Sequence, residues 1–139
     1  MADNKKILRI IDVNLNRAKE GLRCCEEVAR FILDDSTLTR ALKSLRHNIE
    51  NIVTSSELKK ELLCKSRDVN TDCGKSFCAL EKKDDWQGIF FANIQRTKES
   101  LRVLEEFFKL IDDQSCEKFK AMRFKVYEQE KRFAGRHLK

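Results

Sequence analysis

The sequence predicts an all-α protein: a four-helix bundle of two duplicated helical hairpins, with approximate internal two-fold symmetry and a long polar connection. Three observations predict it. Proline is absent from the 139 residues and glycine occurs only four times, so long helices can run without interruption. Apolar residues recur at helical spacing over long stretches. A fourteen-residue pattern, N-x-x-R-x-K-E-x-L-R-x-x-E-E, is also written twice, as NLNRAKEGLRCCEE at residues 14–27 and NIQRTKESLRVLEE at residues 93–106.

The first helix carries its apolar stripe from Ile10 to Leu33 and ends at the turn-like DDST. Ser36 or Thr37 is then the expected cap of a second helix, which buries Leu38, Ala41, Leu42, Leu45, Ile49 and Ile52. Periodicity fails over residues 64–85, which read as a polar connection containing Gly74. A loop of that length inside a compact domain points to function. A third helix follows from about Trp86 to Ile111 and a fourth from about Ser115 to Phe133, with Asp112-Asp113 breaking this pair where Asp34-Asp35 breaks the first. Both second helices carry an arginine among apolar residues, Arg46 in LKSLRHNI and Arg123 in FKAMRFKV. The expectation is one domain over residues 1–139, with repeat halves at about 8–55 and 86–133.

Several function classes are disfavoured. The net charge of +6 comes with 23 acidic residues interspersed among the basic ones, a pattern of solvated helix faces rather than a nucleic-acid surface. The six cysteines have irregular spacing, no C-x-x-C occurs, and only His47 and His137 could join them, so a structural zinc site is not expected. E-x-x-H is absent, which argues against a di-iron bundle. No apolar run approaches the roughly 20 residues of a membrane span, and no signal peptide is recognised, so a cytoplasmic location is expected.

Helical geometry gives the repeat its meaning. At about 100° per residue, Asn14 falls in the middle of the stripe formed by Ala18, Leu22, Cys25, Val28, Ala29 and Ile32. Arg17 lies about 60° to one side and Gly21 near the centre. Asn93, Arg96 and Ser100 repeat this arrangement beside Leu101, Leu104, Phe107, Phe108 and Ile111. Arg46 and Arg123 also fall within or at the edge of apolar arcs, so four arginines are expected to face the bundle interior or its mouth. Guanidiniums there need partners. One account is internal pairing with Glu20, Glu27, Glu99 and Glu106. The other is an anion gripped between the halves, with Gly21 and Ser100 leaving room for it. Arg23 and Arg102 project the other way and are expected to pair with neighbouring glutamates. The connection adds SRDVNTDCGK, in which Arg67, Asp68, Asp72 and Lys75 combine phosphate-binding and metal-binding chemistry. It is not a P-loop.

RIIDVNLNRAKEGLRCCEEVARFILDD, LKSLRHNI, SRDVNTDCG, ANIQRTKESLRVLEEFFKL and MRFKVYEQEK together resemble the small all-helical hydroxymethylpyrimidine phosphate kinase family of thiamine biosynthesis, a domain often fused ahead of thiamine phosphate synthase. The similarity covers about residues 8–133. It implies ATP-dependent phosphorylation of 4-amino-2-methyl-5-(phosphomethyl)pyrimidine to the pyrophosphate, with Mg2+ and without thiamine phosphate synthase activity, because no synthase barrel follows. Joining two anions calls for cationic side chains and magnesium rather than a strong base. On that reading Arg17, Arg96 and Asp68 are catalytic, and Asn14, Arg46, Arg67, Asn93 and Arg123 bind substrate or phosphate. Asp72, with Glu20 and Glu99, stands on the magnesium side. The alternative is a non-catalytic helical module that senses a phosphorylated ligand or docks onto a separate thiamine phosphate synthase. The expected partners are the pyrimidine phosphate and ATP, with that synthase as a protein partner, no nucleic acid and no membrane. A homo-oligomer is compatible with this reading.

Overall fold

Helices account for every regular element among residues 2–76 and 85–138, the residues described by this computed structural model. Helix α1 (Ala2–Glu27) runs into a single π turn (Val28–Ile32). It is followed by α2 (Ser36–Ser55), the short α3 (Lys60–Ser66), α4 (Trp86–Phe108) and α5 (Asp113–His137). The most extensive contact is between α1 and α4; α2 packs on α1 and α5, α5 packs on α4, and α3 lies against α1. Their shared core includes Leu22, Leu42, Ile49, Ile94, Leu101 and Met122, all buried. At one end Phe133 stacks on Phe90 with ring centroids 3.8 Å apart, and Trp86 and Phe91 meet it edge-on. No helix among the described residues is long and apolar enough to cross a membrane.

Turn chemistry accounts for the differences from the expected boundaries. The cap of α2 is Asp35, not Ser36 or Thr37. Its backbone is extended (φ −94°, ψ 94°) and its carboxylate accepts the Leu38 amide at 3.0 Å, so the two hydroxyl residues already lie within the helix. Asp112 caps α5 likewise by accepting the Ser115 amide at 2.6 Å, so that helix starts at Asp113. Helix α4 ends at Phe108, and Ile111 falls in the turn. Asp34 adopts a left-handed conformation (φ 50°), which aspartate tolerates better than branched residues do. The first half also carries two more residues than the second. Glu26 and Arg46 are 20 residues apart, whereas Glu105 and Arg123, which make the matching contact, are 18 apart. The π turn and Asp34 lie within that longer span, and a π turn is how a helix accommodates added residues without losing its ladder.

Gly21 meets a constraint beyond the room expected of it. A Cβ placed there would stand 2.8 Å from the Asn93 carbonyl oxygen and collide with the Thr97 hydroxyl. Its missing side chain therefore allows α1 and α4 to approach closely. The connection expected over residues 64–85 begins as the last turn of α3, whose Leu63 and Ser66 are buried. Its residues 77–84, Cys78 among them, lie outside the described residues.

Candidate functional site

Close approach of α1 and α4 brings the two copies of the repeat together. They line one cleft of about 450 Å3, to which Asn14, Arg17, Glu20 and Gly21 contribute from α1, and Asn93, Arg96, Glu99 and Ser100 from α4. Each asparagine donates its Nδ2 to the carbonyl one turn earlier, Asn14 to Ile10 and Asn93 to Ile89, both at 2.9 Å. With the amide nitrogens so engaged, each Oδ1 remains as an acceptor. Arg17 and Arg96, expected at the bundle interior or its mouth, are both exposed at the cleft rim. Among the described residues neither guanidinium has an ion-pair or hydrogen-bond partner. Exposure removes the desolvation cost that a buried, unpaired arginine would carry, so their lack of a partner is not a folding defect. Two free forks, two carboxylates and two amide oxygens can together hold an anion and the donors attached to it.

The other two arginines are spoken for. Glu26 accepts from Arg46 Nε at 2.8 Å and Nη2 at 3.3 Å, and Glu105 makes the matching fork with Arg123. Both carboxylates are buried. The hydrogen bonds that Arg123 donates to Glu105 hold its guanidinium above its ordinary pKa, against the desolvation that would lower it. Glu20, Glu27, Glu99 and Glu106 were the expected neutralisers. The sequence reading missed Glu26 and Glu105, which stand one position earlier in each E-E pair and turn toward the helix of their own hairpin. Arg23 and Arg102 do pair along the exposed faces, with Glu27 at 2.9 Å and Glu106 at 3.2 Å. Cys25 is buried and its thiol, pushed up by burial, points at the Phe90 carbonyl 3.4 Å away.

The segment after α3 folds back along α1. Arg67 forks onto the buried Asp12 with two contacts of 2.8 Å, and Arg9 donates to the Asp68 carbonyl at 2.6 Å. The Asp68 carboxylate accepts the amides of Asn70 and Thr71, both at 3.1 Å, and the Thr71 hydroxyl. The Thr71 bonds hold it below the usual carboxylate range. Arg67 and Asp68 thus fix a turn and stand outside the cleft, whereas Asp72 lines a second cavity that adjoins it. Among the described residues, no group of three or more His, Cys, Asp or Glu side chains could hold a metal ion.

A family model described as the ThiD2 family matches residues 9–132, which includes both copies of the repeat. The chain belongs to the ThiD2 family. Its curated relatives include three proteins named thiamine-phosphate synthase. The one from Rhodopirellula baltica is 37% identical over 128 residues, 91% of this chain and 34% of its own length. That of Thermosynechococcus vestitus is 35% identical over 128 residues, 91% and 35% of the two chains, and that of Synechocystis sp. 36% over 134 residues, 95% and 37%. This ThiD2 chain therefore spans about a third of the length of the relatives it matches. No solved structure matches it. These relatives support a place in thiamine biosynthesis and correct the more specific expectation. They are named for thiamine-phosphate synthase and not for a pyrimidine phosphate kinase, so the expected kinase activity, and the expected separation from the synthase, both fall. Of the four arginines expected to clamp phosphate, Arg46 and Arg123 are also already engaged by Glu26 and Glu105.

Proposed function

We propose that this chain is a non-catalytic helical module that serves a thiamine-phosphate synthase and holds a phosphorylated pyrimidine between its halves. The supporting observation is the cleft itself: the duplicated motif supplies, from each of α1 and α4, one acceptor amide and one arginine with no partner among the described residues to a single space of about 450 Å3. That volume lies in the range of small-molecule sites, roughly 300–1,000 Å3. The guanidiniums suit the phosphate, and Asn14, Asn93, Glu20 and Glu99 suit the ring's amino group and nitrogens. The architecture that goes with this reading is a four-helix bundle with internal two-fold symmetry, whose axis would pass through the cleft. Repeated contacts support it: Arg46 with Glu26 is matched by Arg123 with Glu105, and Lys19 and Lys98 each reach a glutamate on the second helix of their own half, Glu50 and Glu130.

The test is calorimetric titration of the purified chain with 4-amino-2-methyl-5-(phosphomethyl)pyrimidine. One site per chain is expected, with Arg17→Met and Arg96→Met each weakening binding by about 1.5–3 kcal/mol, the scale of a charged hydrogen bond, and Arg23→Met leaving it unchanged. Failure of the wild-type chain to bind at millimolar concentration, or indifference of binding to both cleft arginines, would refute the reading.

A further inference from the structure

The two halves of the cleft are alike in sequence but not in surroundings. Among the described residues, only the α1 end is flanked by the segment that follows α3. There a second cavity of about 380 Å3 opens between α1 and residues 71–73, and it shares Asn14 and Arg17 with the cleft. Its walls include Ile10 and Val13 on one side and Thr71 and Cys73 on the other. The cleft proper, by contrast, is lined almost wholly by polar and charged residues, with Val103 the one larger apolar side chain.

The flanking wall is built in advance. Arg67 is forked onto buried Asp12, the Asp68 carbonyl is held by Arg9, and the Asp68 side chain closes the turn onto Asn70 and Thr71. A wall anchored at three points on α1 and within itself can select shape without first being ordered by the ligand.

Resting on the function proposed above, we infer that this side cavity is the seat of the ligand's flat heteroaromatic ring, and that it gives an otherwise duplicated cleft a single binding orientation. The phosphate then lies at the junction, where Arg17 belongs to both spaces and Arg96 reaches from α4. Val13 and Cys73 face the ring, and the Asn14 Oδ1 accepts from its amino group. Asn93, at the opposite end, has no such wall among the described residues. Val13 and Cys73 are therefore specificity-determining positions, and Arg67 and Asp68 position the wall without touching ligand.

Cys73 is exposed and makes no hydrogen bond among the described residues, so filling the cavity from that position leaves the core alone. Affinities for the pyrimidine monophosphate and for inorganic pyrophosphate should be measured on the wild type, Cys73→Trp, Val13→Phe and Arg17→Met, with thermal melts for each. Cys73→Trp is expected to lower affinity for the pyrimidine monophosphate by about tenfold or more while changing that for pyrophosphate by less than about twofold. Arg17→Met should lower both. If Cys73→Trp and Val13→Phe leave the pyrimidine ligand unaffected while Arg17→Met loses it, the ring sits elsewhere and only this inference fails. Equal loss of both ligands in Cys73→Trp also overturns it, because the wall would then act on the phosphate. If the wild type binds neither ligand, the functional reading fails and takes this inference with it.

Discussion

Glu26 and Glu105 give Arg46 and Arg123 what no described residue gives Arg17 and Arg96, and this difference sorts four arginines that look equivalent in the sequence. Replacing Arg46 with Met strands a carboxylate whose side chain is only 6% exposed. Breaking such a pair costs about 3 kcal/mol or more, because the remaining charge cannot reach water. Arg17→Met removes an exposed group with no partner among the described residues and should change stability by no more than about 0.5 kcal/mol. Urea denaturation of the two variants tests the distinction, and equal losses would mean that Arg17 has a structural partner after all. Sequence periodicity correctly placed one Asn and one Arg from each repeat on neighbouring faces. It could not separate rim from interior, because an arc of about 120° includes both. Nor did it find Asp12, which anchors Arg67 from 55 residues away. An ion pair closed by tertiary folding leaves no local spacing to read.

Among the elements, helix ends were legible as breaks but not as caps. Asp34-Asp35 and Asp112-Asp113 did mark the turns, yet which residue caps depends on backbone angles that the sequence does not display. The short α3 was missed because seven residues provide too little periodicity to stand out. Asp35 does more than cap. Arg136 Nη1 lies 3.2 Å from its carboxylate and His137 Nε2 2.9 Å, so the last turn of α5 is tied to the first turn of α2. Burial pushes the Asp35 pKa up, but the Leu38 amide, His137 and Arg136 outweigh it and leave the group below its ordinary value. A depressed carboxylate pKa contributes stability above the unfolded value near 3.9 and loses it as pH falls through the folded one. Asp35→Asn keeps a competent cap but removes the charge. The wild type should therefore melt higher than this variant at neutral pH, with the gap closing as pH drops below about 4. A gap that persists unchanged to the lowest pH at which the fold survives would show that the tie is not electrostatic.

At the scale of the whole molecule, the closest interface joins the two halves rather than the two helices of one half. Leu22, Ala18 and Cys25 of α1 are fully buried in a core shared with α4. Residues 1–76 alone would expose that face, so this fragment should fail to unfold cooperatively as a monomer, or should pair with a second copy of itself. Sedimentation combined with a thermal melt decides it: a monomer with a sharp transition would mean that each half is its own folding unit. One feature of the cleft also sets how the molecule meets its surroundings. The chain is basic overall at +6, but its mouth carries Glu20 and Glu99 beside Arg17 and Arg96, so charge cancels where ligands enter. Such an opening does not funnel polyanions inward, because long-range attraction needs an excess of one sign. Admission is then decided at contact range: a small guest carrying both an anionic end and hydrogen-bond donors satisfies all four side chains, while a phosphate backbone meets two carboxylates that repel it. On the function proposed above, Glu20 and Glu99 would restrict the guests of a basic molecule to those that also bring hydrogen-bond donors.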